Sequence, residues 1–226
     1  MRISSKRPAF LLLSGLSWLD ILILALLIAV YGLHASRLGS WIMDDAGISF
    51  TYSRNLAMGN GLVSQPGRIP VEGYSNPLWV LMLVPFFWLG LFDPIITPKV
   101  VSGLLVAIGI IFLYAGARRL LASRVLAAIV CGLLVVNTSF VVWTVSGLEN
   151  PLYALLAILM FWLVIDGQES RKLPLHLGLL AGLAGMTRSD GIVFVLVLPL
   201  YLAVEGLYGR RGAWRDKRGL LRALWR

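Results

Sequence analysis

One cysteine and two histidines are all the thiol and imidazole chemistry in 226 residues. With Cys131 alone, neither a disulfide framework nor a cysteine-based metal site can form within the chain. His34 and His176 stand apart from each other and read as ordinary interface residues. Acids are scarce as well: 11 Asp and Glu stand against 20 Lys and Arg. Also missing is any succession of roughly ten-residue segments alternating apolar and polar, which excludes a transmembrane β-barrel. There is no low-complexity tract, no convincing internal repeat and no stretch with the composition of a soluble domain.

What the chain has is apolar sequence. Hydrophobic residues make up 58% of it, where a soluble domain has roughly half. They concentrate near 10–33, 77–92, 98–117, 125–143, 151–166, 174–186 and 191–208. Such runs, nearly free of charge, predict an all-α, polytopic helical membrane protein with about 6–7 transmembrane or re-entrant helices. The apolar run behind the basic start MRISSKR is too long for the core of a cleaved signal peptide and reads as a first span. In a soluble protein the net charge of +9 would suggest a nucleic-acid partner. In a membrane protein it marks cytoplasmic loops, and no nucleic acid is expected.

Placing the N-terminus, the loop with Arg118, Arg119 and Arg124, the loop with Arg171 and Lys172, and the tail from Arg210 in the cytoplasm puts 15 of the 20 basic residues inside. That bias is what the positive-inside rule predicts for a multi-pass protein of the inner cell membrane. Residues 1–208 are then a transmembrane domain with an external loop over 34–76, and 209–226 form a basic cytoplasmic tail. Because 34–76 and Arg118 fall on opposite sides, 77–92 and 98–117 together make one net crossing. The first, short and interrupted by Pro85, is the re-entrant or interfacial candidate. The rival arrangement makes both full spans and puts Arg118, Arg119 and Arg124 outside. Asp20, near the inner end of the first span, reads as an inner-interface residue.

The first arrangement brings three polar clusters to the outer face. The external loop opens with WIMDDAGISFTYSRNLAMGNG. Asp44 or Asp45 suits a helix N-cap, Ala46 to Met58 can be helical, and GNG at 59–61 stops the helix. Ile48, Tyr52 and Asn55 or Leu56 fall on one stripe. Adjacent helix positions diverge by about 100°, so at most one of the two acids can aim into a shared cavity. PGRIPVEGYSNPLW follows, with Glu72 and Tyr74 just ahead of Asn76-Pro77, which starts a helix. SGLENPLYALL puts Glu149 and Asn150 before Pro151 at the start of another helix. The run from Pro174 to Met186 has 13 residues, roughly 20 Å of helix against an apolar bilayer core of about 30 Å. Thr187-Arg188-Ser189-Asp190-Gly191 therefore falls below the outer surface, where charges survive only against protein or trapped water. Gly178-x-x-x-Gly182 reads as a helix-packing motif.

The order of these motifs, over about residues 15 to 205, resembles the GT-C membrane glycosyltransferases, with the closest look to the arabinofuranosyltransferase-like branch. The resemblance implies a sugar moved from a polyprenyl-phosphate donor to a cell-envelope glycan or lipid acceptor. It makes Asp44 or Asp45 the general base and Arg188, or else Arg54, the cation facing the leaving phosphate. Glu72, Glu149 and Asp190 become acceptor-binding groups or ligands of a possible divalent metal, and Tyr74 and Asn76 join the substrate-binding set. Membrane lipid, lipid-linked sugar and glycan acceptor are the expected partners. Members of that family carry more spans, so a second membrane chain supplying the missing ones is also expected. Two other readings are a non-catalytic subunit of a glycan-assembly complex and a transporter or flippase, although the inverted repeat of a transporter is not found.

Overall fold

The computed structural model describes residues 16–166, 173–197 and 200. The basic N-terminus, the Arg171–Lys172 loop and the tail from Arg210 lie outside the described residues, as does most of the last expected segment, 191–208.

Among the described residues the chain is helical, with no strand. Helix α1 (Trp18–Ser36) starts at a capping box, in which Ser17 and Asp20 satisfy each other's backbone donors. Helix α2 (Ala46–Ala57) lies in the loop that follows, and α3 (Pro77–Trp88) begins with proline in its first turn. Helix α4 (Ile96–Leu121) is the longest and ends at Ala122, whose φ of 52° is left-handed. Ser123 then caps α5 (Arg124–Val136), so two residues turn the chain back on itself. Asn137 ends α5 and caps α6 (Thr138–Thr144), with a bend of 63° between them. Helices α7 (Asn150–Asp166) and α8 (Leu173–Thr187) complete the bundle, and a 3₁₀ turn, Ser189–Gly191, follows α8.

Among the described residues two helices, α1 and α4, are long and apolar enough to cross a membrane, and a third if the bent α5–α6 pair is one span. That is fewer than the 6–7 expected. The reason is length: α3, α7 and α8 are apolar but have 12, 17 and 15 residues, short of the ~20 that a spanning helix needs.

Two apolar clusters meet on α4. Leu24, Leu27 and Tyr31 of α1 pack with Val106, Ile110 and Tyr114 of α4 and with Ala127, Cys131 and Val135 of α5. On the other side of α4, Val101 joins Trp79 and Leu83 of α3, Leu152, Leu156 and Met160 of α7, and Leu177, Ala181 and Ala184 of α8. In lipid the association of helices depends on close packing rather than on water exclusion. Helix α4 supplies that closeness against α7 at Gly116, where a Cβ would come within 3.3 Å of Phe161. Gly178 and Gly182 face open space instead. The expected packing motif of α8 is thus replaced by the neighbouring Leu177–Ala181–Ala184 stripe.

Helices α1 and α4 are antiparallel. Lys99 Nζ, at the start of α4, donates to the carbonyl of Gly39 just beyond α1. At the other end, Asp20 meets Arg118 and Arg124. Helix α3 begins beside Glu149, through Asn76, and ends with Trp88 Nε1 donating to the carbonyl of Ala57 on α2 at 2.9 Å. Both its ends therefore lie at the end where α4 begins, and α3 and α4 together make a single passage through the bundle.

Candidate active site

At that end of the bundle, four separated segments build one polar wall. Ser49 comes from α2, Asn76 from the start of α3, Glu149 from the turn before α7 and Arg188 from the turn after α8. Asn76 Nδ2 donates to Glu149 Oε2 at 2.6 Å and to Ser49 Oγ at 2.9 Å, and Ser49 Oγ also reaches Asn76 Oδ1 at 3.1 Å. On the far side of the carboxylate, Arg188 Nη1 donates to Glu149 Oε1 at 3.1 Å and to Asn150 Oδ1 at 3.0 Å. Arg188 Nε donates to Asp190 Oδ1 at 3.0 Å. Glu149 is 6% exposed, and a carboxylate at that depth persists because it is both paired and hydrogen-bonded.

The wall faces a cleft of about 350 Å³ lined by Asp45, Ile48, Ser49, Gly73, Tyr74, Ser75, Asn76, Leu148, Glu149, Arg188 and Ser189. Asp45, Tyr74, Asn76, Glu149 and Arg188 thus come together from a stretch of sequence that runs from 45 to 188. Asp190 reaches the cleft only through Arg188. Asp44, Arg54 and Glu72 are exposed and lie outside the lining. The expectation that only one acid of the pair could aim into a cavity resolves to Asp45.

Two helix caps are used in an unexpected way. Asp45 holds the N-cap position of α2 but its side chain makes no capping hydrogen bond, which leaves the carboxylate to the cleft. Asn76 holds the N-cap position of α3 and spends its amide on Ser49 and Glu149 instead. The face of α2 that packs inward runs through Ala46, Ser49, Tyr52 and Ser53, while Ile48 is 44% exposed beside the cleft. Of the expected stripe, Tyr52 and Asn55 are buried and Ile48 is the member that is not.

The turn residues hold this arrangement in place. Gly147, at φ +86°, presents its carbonyl to Trp79 Nε1 at 3.1 Å. A Cβ there would sit 3.0 Å from that of Ala46, in a backbone region that L side chains rarely adopt. Tyr52 ties α2 to the following loop. Its hydroxyl donates to the Val71 carbonyl at 2.6 Å and accepts from Gly73 N–H at 3.1 Å. Its ring lies 4.6 Å from that of Tyr74, centroid to centroid. Burial, then the nearby Glu72 charge, then Tyr52 push the Tyr74 phenol above its ordinary range, so it enters the cleft as a neutral donor. The hydrogen bond that Arg188 donates to Asp190 does most to raise the guanidinium above its ordinary value, against the opposing effect of burial. Arg188 is therefore charged at every working pH, and its carbon lies 5.8 Å from the centre of the Tyr153 ring.

Ser49, Ser189, Leu148 and Trp79 are the contributors that the motifs did not point to. Ser49 carried a readable signal, since it stands four residues after Asp45 and so shares its helix face. Among the described residues no group of three or more His, Cys, Asp or Glu side chains is placed to hold an ion. Glu149 and Asp190, both proposed as ligands, are engaged with Arg188 instead.

A cleft with one unengaged carboxylate, one fixed cation and neutral hydroxyl and amide groups suits proton abstraction from a sugar or alcohol beside a departing anion. The dolichyl-phosphate-mannose-protein mannosyltransferase family matches residues 91–224, more than half of the chain. The chain belongs to this family. It is therefore a GT-C-type membrane glycosyltransferase, of a family that draws sugar from polyprenyl phosphate. The matched region carries Glu149, Arg188 and Asp190, while the DD-to-EGYSNPLW block precedes it. The match supports the GT-C resemblance and leaves the arabinofuranosyltransferase-like branch that the motif order suggested unconfirmed. No curated protein and no solved structure matches the chain.

Proposed function

We propose that the cleft transfers a sugar from a polyprenyl-phosphate donor to a hydroxyl of a cell-envelope glycan or lipid, at the outer face of the inner membrane. The observation that carries this reading is the meeting of Asp45 and Arg188 in one cleft at the bundle end where α4 begins. Asp45 takes the proton of the acceptor hydroxyl while that oxygen attacks the anomeric carbon. The bond from the anomeric carbon to the phosphate oxygen breaks, and the polyprenyl phosphate leaves as an anion. Among the described residues Arg188 is the one cation that lines the cleft, and Nη2 is the guanidinium nitrogen that its bonds to Glu149, Asn150 and Asp190 leave unused. It is the group that meets the developing phosphate charge. Glu149 and Asn76 hold Arg188 and the wall in register, and the Tyr74 ring and hydroxyl flank the sugar.

The test is a transfer assay in membranes carrying this chain, with labelled polyprenyl-phosphate mannose and polyprenyl-phosphate arabinofuranose supplied in parallel. Asp45→Asn should lower kcat by about 10²- to 10⁴-fold, the usual worth of a positioned general base. Asp44→Asn should keep kcat within a few-fold of wild type. Equal transfer by the wild type and Asp45→Asn would remove the catalytic assignment. Which donor is consumed decides between the mannosyl and arabinofuranosyl branches.

A further inference from the structure

The opposite end of the bundle holds a second charged cluster that sugar transfer does not use. Asp20 in the first turn of α1 is fully buried. Its Oδ2 accepts from Ser17 N–H at 2.9 Å and Ser17 Oγ at 2.7 Å. Its Oδ1 accepts from Tyr114 Oη at 2.7 Å and Arg124 Nε at 3.2 Å. A carboxylate offers about four acceptor sites, and these four donors fill them. Arg118 arrives as a second cation, its Nε 3.3 Å from the same Oδ1. It finds no acceptor left, and that buried N–H makes no hydrogen bond among the described residues. The cluster therefore sets two guanidiniums against one carboxylate and keeps a buried donor that lacks an oxygen.

The surroundings indicate what kind of anion would balance the surplus charge. The Arg118 side chain is 25% exposed and that of Arg124 43%, so both can be approached from outside. The apolar residues beside them are exposed too: Trp18 by 71%, Val125 by 67%, Leu120 and Leu126 by 45% each. A surplus of cationic forks bordered by uncovered apolar side chains matches a molecule with a phosphate at one end and hydrocarbon at the other. Free phosphate would leave the apolar border uncovered. Basic pockets between membrane helices are where anionic headgroups bind.

We propose that Arg118 and Arg124 form a binding site for the phosphodiester headgroup of an anionic phospholipid, at the end of the bundle opposite the transfer cleft. The phosphate oxygens meet the exposed parts of the Arg118 and Arg124 side chains, and an acyl chain lies along Trp18, Leu120, Val125 and Leu126. Asp20 is the internal counter-ion that holds both arginines in place.

The test uses the full chain in bilayer discs of phosphatidylcholine and phosphatidylglycerol in equal amounts, with lipid retained after extraction counted by native mass spectrometry. Wild type should retain phosphatidylglycerol in preference to phosphatidylcholine. Arg124→Gln should reduce that preference about fivefold, the worth of one interfacial arginine. Arg37→Gln, in the loop after α1 at the other end, should leave it unchanged. Arg124→Lys keeps the charge and the pairing with Asp20, so it serves if the glutamine variant fails to fold; losing the planar fork should weaken retention part-way. Equal retention of the two lipids by wild type, or unchanged retention in both Arg124 variants, would overturn the proposal. So would displacement of phosphatidylglycerol by millimolar inorganic phosphate, which would identify the ligand as a free anion.

Discussion

Asn76 is the residue on which the candidate site turns. Its one amide bridges a hydroxyl on α2 and a carboxylate on the α7 side, at 2.9 Å and 2.6 Å. Asn76→Leu keeps the volume and removes both donors, leaving Glu149 buried with only its Arg188 side satisfied. A buried acceptor that loses its partner costs about 1–3 kcal/mol, and that much destabilisation should appear in thermal unfolding of the purified protein. In a Glu149→Gln background the same change should cost less, because no buried charge is then stranded, and a double-mutant cycle should give a coupling of about 1 kcal/mol or more. Additive losses would mean that the 2.6 Å contact carries no energy. The sequence marked Asn76 as a helix cap, and the resemblance placed it in the substrate-binding set. Nothing in the order of residues says that a cap residue will turn away from its own helix to serve a neighbour 73 positions on.

At the scale of elements, much was legible. Proline after a capping residue placed the starts of α3 and α7, the GNG stop placed the end of α2, and the short run before Thr187 foretold that α8 would end at a charged turn. The capping box at Ser17 and the bend at Asn137 were not read. Nor was the role of Asp20, because a carboxylate that collects Tyr114, Arg118 and Arg124 from two other elements is a product of packing. The TRSDG turn shows how tightly an element can specify a site. Gly191 lies so close to α8 that a Cβ would sit 2.2 Å from the Ala184 carbonyl oxygen, the same oxygen that accepts from Arg188 N–H at 3.0 Å. Gly191→Ala must push the turn off the helix and take Arg188 with it. Overpacking of this kind costs about 1–3 kcal/mol, and we expect a lowered Tm together with a fall in transfer activity larger than that of Ser189→Ala on the same turn. Wild-type activity in Gly191→Ala would show that the turn can move without disturbing Arg188.

At the scale of the whole molecule, the two charged clusters define opposite ends. Helix α4 has 26 residues, about 39 Å at 1.5 Å per residue, so its ends clear both edges of a ~30 Å apolar core. Its first turn lies at the cleft end and its last at the Asp20 cluster, and α1 runs antiparallel beside it. The residues described here supply only Arg118, Arg119 and Arg124 to the basic side of the charge bias. Helix α4 nonetheless carries Arg118 and Arg119 to the end of the bundle opposite its first turn, and a crossing α4 would put them on the other side of the membrane from the cleft, whichever way the protein inserts. In a Cys131→Ala background, Asp45→Cys, Glu72→Cys and Asp190→Cys should all react with a membrane-impermeant thiol reagent from the same side of intact cells. Arg124→Cys should react only after the membrane is opened. If Arg124→Cys labels together with the other three, α4 does not cross and the passage drawn through α3 and α4 is wrong. If the three cleft positions divide between the two sides, no common cleft exists for a lipid-linked sugar to enter. If all three require an opened membrane while Arg124→Cys does not, the cleft stands but faces the cytoplasm, and the donor is met on the inner leaflet.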